Sequence, residues 1–185
     1  DAILIGASTV RIEDYGPPRP VEAARARRAA RGLAPVPGMV VVTATAQLQP
    51  AARLFTDPSW RPMVLVPQDA DPTRLEALRL VSDVVTVGRG RVELPAALRQ
   101  LRRSGVRWLL CEGGPTLNAE LLSDGLVDEL FLTVAPQLVG ATRRRIVHGE
   151  LRGGPWVLEL VELREHASEL LLRYRLVRAG RSHLR

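Results

Sequence analysis

Short apolar runs recur along the chain at residues 2–7, 39–44, 63–66, 84–87, 106–111 and 130–134. They are mostly continuous rather than alternating, the pattern of strands covered on both faces in a largely parallel sheet. Amphipathic helical patterns separate several of them. One opens at Asp71-Pro72, an N-cap followed by a first-position proline, and carries Leu75, Leu78 and Val81. Another covers 95–103, with Leu98 and Leu101 inward and Gly105 just past its end. A third follows Gly114, contains Leu117, Leu121 and Leu122, and stops at Gly125. Strands alternating with helices predict an α/β domain.

The end of the chain changes pattern. Residues 156–164 and 169–177 are strand-like and flank the polar Glu165-His166-Ala167-Ser168, which predicts an antiparallel hairpin added to the sheet edge. Residues 149–155 form a loop before it. The Pro- and Arg-rich segment 15–38 is expected to hold a short helix at 21–31. No repeat or linker divides the chain, so one domain is expected at 1–178, with a basic tail at 179–185.

With 46% hydrophobic and 25% charged residues the composition is that of an ordinary globular protein. No apolar run approaches the ~20 residues of a membrane-spanning helix, and Asp1-Ala2-Ile3-Leu4-Ile5-Gly6 lacks the basic start of a signal peptide. The expected location is the cytoplasm. Cys111 is the only cysteine, which excludes an internal disulfide, and its place at a strand end predicts a buried structural thiol. The net charge of +6 comes from 26 basic residues, every one an arginine, while Asn118 is the only asparagine. That bias fits a GC-rich genome better than a nucleic-acid surface. The arginines are spread along the chain, with local clusters at Arg25, Arg27, Arg28 and Arg31 and at Arg143, Arg144 and Arg145. Aromatic residues for base stacking are scarce, so neither nucleic acid nor membrane is expected as a partner.

Several chemistries lack their residues. His148, His166 and His183 are isolated and offer no metal-ligand spacing. No G-x-S-x-G elbow occurs, and Gly88-Arg89-Gly90 fails as a dinucleotide fingerprint because Glu93 takes the third glycine's place.

The stretch Cys111-Glu112-Gly113-Gly114-Pro115-Thr116-Leu117-Asn118 carries more information. It ends an apolar run and opens a helical pattern, presenting bare backbone N–H groups and a helix start at a sheet edge, which suits a phosphate. Paired glycines allow close approach to the main chain, and Pro115 needs no N–H at a first helical position. The same turn also reads as a tight connection. Two further strand exits, Gly6-Ala7-Ser8-Thr9-Val10 and Thr43-Ala44-Thr45, supply small residues and hydroxyls. Ligands bind outside the carboxyl ends of strands in open parallel sheets. Three such exits favour a nucleotide site, although hydroxyls after strands also serve as turn formers.

The segment 1–11, the run from Glu112 to Asn118, and Leu126-Val127-Asp128-Glu129-Leu130 through Ala135-Pro136 and Gly140 together resemble the pyrimidine reductase family, the reductase half of the bacterial bifunctional riboflavin-biosynthesis protein. The resemblance runs from Asp1 to about Val177. It implies a dihydrofolate-reductase-like fold, a three-layer α/β sandwich on a mostly parallel mixed sheet with a C-terminal antiparallel hairpin. It also implies a homodimer and NADPH-dependent reduction of the ribosyl group of 5-amino-6-(5-phosphoribosylamino)uracil to ribityl. By that resemblance Gly6 and Thr9 contact the cofactor, and Glu13 stands where the family often has an acidic cofactor contact. Ala44 marks the adenosine 2′-phosphate side, with Thr43 and Thr45 as hydroxyl donors, and Gly113, Gly114, Pro115, Thr116 and Leu117 match the pyrophosphate loop. Glu112 matches a substrate-facing glutamate, the candidate catalytic residue, with local backbone capping as its alternative role. Arg19 lies near a family arginine that holds the substrate phosphate, or is a solvated loop arginine.

The family begins with a further strand and helix before the position of Asp1, bearing a Ser-x-Asp-Gly-like substrate motif that nothing here matches. The natural protein is therefore expected to start earlier. The deaminase half is not expected in this chain, since H-x-E with P-C-x-x-C is absent. Alternative readings are a same-fold reductase of dihydrofolate or another pterin, and an NADP-binding module without turnover.

Overall fold

Five of the predicted apolar runs pair side by side in the computed structural model, which describes residues 1–138 and 145–177. They are β1 (Ala2–Gly6), β2 (Gly38–Val42), β3 (Met63–Val66), β4 (Asp83–Thr86) and β5 (Leu109–Cys111), all parallel, in the order β4-β3-β2-β1-β5. Alternate residues of the central strands point to opposite faces, and both faces are covered. Ile5, Val41, Val64 and Val66 pack with Ala7 and Val10 of α1 (Ala7–Ile12) and with Leu75 and Leu78 of α3 (Pro72–Arg79). Leu4, Val40 and Leu65 pack on the other side with Leu94, Ala97 and Leu101 of α4 (Leu94–Arg103) and with Leu117 and Leu121 of α5 (Pro115–Ser123). This double burial is why the strand sequences run apolar without alternation. The remaining helix, α2 (Glu22–Ala29), buries none of its residues and lies on the periphery.

Local signals predicted α3, α4 and α5 correctly. The Asp71 side chain accepts from the Arg74 N–H at 3.1 Å, capping α3 as expected. Gly105 and Gly125 follow α4 and α5 with positive φ. The helix α1 is a difference from expectation, since the residues after Gly6 read as a loop but fold as six residues of helix. A run that short, with β-branched Thr9 and Val10, carries too little periodicity to read.

The C-terminal hairpin forms from β7 (Val157–His166) and β8 (Glu169–Val177), joined by Ala167 and Ser168, both at positive φ as in a two-residue primed turn. It does not extend the parallel sheet. Instead β8 pairs with β6 (Glu129–Val134), giving a separate antiparallel sheet in the order β6-β8-β7. Cross-strand matching accounts for this: Leu130 faces Tyr174, Leu132 faces Leu172 and Val134 faces Leu170. A bulge between Leu160 and Glu162 then keeps both Leu160 and Leu163 on the face of Tyr174 and Leu172. Gly140, Arg143, Arg144 and the tail expected at 179–185 lie outside the described residues.

Candidate functional site

The chain leaves β1 outward through β2, β3 and β4, then returns to β5 on the opposite side of β1. The direction of winding reverses between β1 and β5, and the carboxyl edge at such a reversal is a crevice suited to ligands. The Glu-Gly-Gly-Pro turn sits there. The Gly6 N–H donates to the Gly113 carbonyl at 2.7 Å and the Glu112 N–H donates to the Leu4 carbonyl at 3.0 Å, so the exits of β1 and β5 are bound together. Gly113 has φ +84 and the Gly113–Gly114 peptide is cis.

Gly114 is the N-cap of α5 and carries no side-chain cap. The first-turn N–H groups of a helix have no acceptor within it, so those of Thr116 and Leu117 are available to an anion. A Cβ on Gly114 would come within 2.6 Å of Thr9 Oγ1, and one on Gly6 within 3.4 Å of Gly114 N. Gly6, Thr9, Gly113 and Gly114 therefore form one contiguous cluster of backbone and hydroxyl, in which Gly113 is buried. Pro115 and Thr116 are exposed, whereas the Leu117 side chain is buried in the core, leaving only its backbone to face a ligand.

The adjacent exit, from β2, is more mixed. Ala44 and Thr45 are exposed, but Thr43 is buried and its Oγ1 accepts from the Thr45 N–H at 3.3 Å, so this hydroxyl closes the turn. Two arginines not singled out by the sequence flank it. Arg74 donates to the Thr45 carbonyl at 3.0 Å, and Arg11 donates to the Gln47 carbonyl at 2.7 Å and to Ser8 Oγ at 3.2 Å. Both positive groups stand beside an exposed strand exit.

Glu112 is exposed at the mouth of the crevice, and the Tyr15 hydroxyl donates to its Oε2 at 2.7 Å. The Tyr15 phenol is pushed up to about 12, first by that hydrogen bond, then by burial, then by the negative charges of Glu112 and Glu13. Glu13 thus lies close to the pair, at the C-terminal end of α1. Burial pushes the half-buried Cys111 thiol up, away from thiolate chemistry, and its Sγ lies 3.5 Å from Asn118 Oδ1. Arg19 is exposed, and its charge adds to the Ser59 hydrogen bonds that hold the Asp57 carboxyl low. Among the described residues, no group of three His, Cys, Asp or Glu side chains is gathered for a metal ion.

A model of the RibD C-terminal domain matches residues 1–172. The chain belongs to that family. Its relatives include a 2,5-diamino-6-ribosylamino-4(3H)-pyrimidinone 5′-phosphate reductase of Methanothermobacter thermautotrophicus, 38% identical over 81% of this chain and 66% of the relative. A protein of the same name from Archaeoglobus fulgidus is 37% identical over 76% of this chain and 64% of the relative. The chain thus spans just under two thirds of the length of these relatives. Among solved structures, a pyrimidine reductase-like protein of Corynebacterium diphtheriae superposes with a TM-score of 0.85 and 27% identity, covering 96% of this chain and 76% of that one. The family's dihydrofolate-reductase-like architecture is the one described above, with a helix-flanked parallel sheet followed by an antiparallel hairpin.

Proposed function

We propose that this chain is the NADPH-dependent reductase domain of a riboflavin-biosynthesis protein, reducing the ribosyl group of 5-amino-6-(5-phosphoribosylamino)uracil to ribityl. The observation that carries the reading is the Glu112–Gly114 turn at the winding reversal, with a carboxylate on one side and an uncapped helix start on the other. The residues fit the cofactor: Gly6, Thr9, Gly113, Gly114 and the α5 N-terminus would hold the pyrophosphate, the lack of a side chain at Gly114 leaving room for the Thr9 hydroxyl beside the helix start. Arg11 and Arg74, beside Ala44 and Thr45, suit a 2′-phosphate and favour NADPH over NADH. Glu13 and Arg19 belong to the same reading, as a cofactor contact and a substrate-phosphate contact.

When bound, NADPH supplies the hydride for C1′ of the opened ribose. The chain's own part is to align the two partners and to stabilise charge. The Glu112 carboxylate orients the aminopyrimidine and stabilises positive charge as the iminium forms. Glu112→Gln is expected to lower turnover by roughly 10²-fold, as for loss of a transition-state electrostatic contact, with NADPH affinity kept. Lost cofactor affinity with intact turnover per bound cofactor would end that role.

A second substrate reading has its own support. The two relatives at 38% and 37% identity are named as reductases of the 2,5-diamino-pyrimidinone, which carries an amino group at ring carbon 2 where the uracil carries an oxygen. Following NADPH oxidation with each acceptor, and with dihydrofolate, separates the readings. Turnover on either aminopyrimidine supports the function, dihydrofolate reduction replaces it, and tight NADPH binding with no turnover leaves a binding module. We further read the protein as a cytoplasmic homodimer that engages neither nucleic acid nor membrane. No helix among the described residues is long and apolar enough to cross a membrane.

A further inference from the structure

Tyr15 and Glu112 are 97 residues apart in the chain, yet their side chains meet at 2.7 Å, and the chemistry above gives the phenol no task. The backbone delivers Tyr15 there by a tight reversal after α1. The Glu13 N–H donates to the Thr9 carbonyl at 2.9 Å and the Tyr15 N–H to the Val10 carbonyl at 3.1 Å. Between them Asp14 takes φ +46, a left-handed conformation that aspartate tolerates better than most side chains. The Tyr15 ring packs against the core formed around Ile5, Val10 and Leu54, leaving its hydroxyl at the surface of that core. On the other side, Glu112 is tethered to β1 through the Leu4 carbonyl. Both ends of the hydrogen bond are thus fixed by the same strand–helix unit.

Glu112 is otherwise an exposed side chain with three rotatable bonds, and ordering such a chain only in the transition state is costly. A phenol donating to a carboxylate makes a strong, charge-assisted bond. It occupies Oε2, whereas Oε1 accepts no hydrogen bond among the described residues.

We propose that Tyr15 is a positioning residue: its hydroxyl holds the Glu112 carboxylate in one orientation and leaves Oε1 as the oxygen that meets the aminopyrimidine. This rests on the assignment of Glu112 to the substrate. The hydroxyl must remain protonated to donate, and its displacement up to about 12 keeps it so throughout the working range.

The experiment compares the wild-type full-length protein with Tyr15→Phe, Glu112→Gln and the double variant, measuring kcat, KM for the aminopyrimidine and NADPH affinity. Phenylalanine keeps the ring packing and removes only the donor. Tyr15→Phe is expected to lower kcat about tenfold, as loss of one hydrogen bond to a charged group does, with NADPH affinity and melting temperature unchanged. The double variant is expected to be no slower than Glu112→Gln alone, because the two residues act as a unit. Independent, multiplying losses, or a Tyr15→Phe protein as active as wild type, would overturn the proposal.

A second readout needs no turnover. In the 185-residue chain Tyr174→Phe leaves Tyr15 as the one tyrosine, so ultraviolet titration of that chain follows it, and Glu112→Gln is expected to bring its ionisation down from about 12 toward the ordinary 10.0. An unchanged titration refutes the link between the two residues. A wild-type protein that binds NADPH but reduces neither aminopyrimidine refutes the proposed function instead, and the titration still decides the pairing.

Discussion

At Gly114 the added methyl of an alanine would lie 2.6 Å from Thr9 Oγ1, closer than the short Thr9 side chain can accommodate without moving. Gly114→Ala is therefore expected to push Thr9 or the α5 N-terminus aside and weaken NADPH binding by tenfold or more, on the order of the loss of one or two charge-assisted hydrogen bonds. Calorimetric titration of the variant checks this, and unchanged affinity would move the pyrophosphate elsewhere. Arg74 tests a different part of the ligand. Arg74→Gln is expected to raise the NADPH dissociation constant about tenfold while leaving NADH unaffected, since only the former carries the 2′-phosphate. Equal weakening for both would remove Arg74 from that role. The Gly-Gly turn was legible because its form is local, a connection between a strand and a helix, whereas the role proposed for Glu112 came from the family resemblance. Arg11, Arg74 and Tyr15 were not legible. Their partners lie 36, 29 and 97 residues away, and no local pattern encodes such a distance.

Among the secondary-structure elements, α5 does two jobs, and Asn118 connects them. Its Nδ2 donates to the Ile146 carbonyl at 2.8 Å, and its Oδ1 lies 3.5 Å from Cys111 Sγ, so one side chain ties α5 to the end of β5 and to the segment after β6. The His148 N–H donates to the Pro115 carbonyl and the Arg152 N–H to Ser123 Oγ, both at 3.1 Å, extending the same attachment along the helix. Asn118→Ala is expected to cost about 1 kcal/mol, the usual net loss of a hydrogen bond whose acceptor, the exposed Ile146 carbonyl, can turn to water. Thermal or urea unfolding measures it, and a change within a few tenths would mean that the neighbouring bonds suffice. The sequence revealed that Asn118 is the only asparagine but not that it is a junction. Elements whose ends carry their own signals, such as α3 with its Asp71 cap, could be read in advance. The partner of the C-terminal hairpin could not, because pairing with β6 depends on which side chains face each other across strands.

For the molecule as a whole, the small sheet leaves an apolar stripe in solvent. Phe131, with Arg173 stacked over it at 5.7 Å, is 66% exposed on one face, and on the other Leu158, Leu160, Leu163 and Leu170 are each at least 40% exposed. A contiguous patch of this kind marks an association surface, in keeping with the proposed homodimer. Sedimentation equilibrium of the full-length protein is expected to give twice the chain mass, and a monomer at working concentrations would leave the stripe to another partner. The pairing of Arg173 with Glu129 on that sheet gives it a pH signature. Arg173 holds the Glu129 carboxyl below its ordinary 4.5. The stabilisation is therefore present above pH 4.5 and is lost as the pH falls through the lowered value. An acid melting series in which Glu129→Gln is less sensitive than wild type checks the sign.

Taken alone, the sequence determined the α/β class, the run of buried strands, most helix ends and the Gly-Gly turn that carries the candidate site. Each of these is decided by periodicity or by backbone preference within a few residues. The tertiary structure decided which strand exits are neighbours, that β1 and β5 are bound through Gly6 and Gly113, and that Thr43 turns inward while Arg11 and Arg74 flank the exit beside it. It also brought Tyr15 onto Glu112. Those relations follow from strand order and from the packing of two helical layers on one sheet. They are properties of the whole chain's burial, and no short window of sequence contains them.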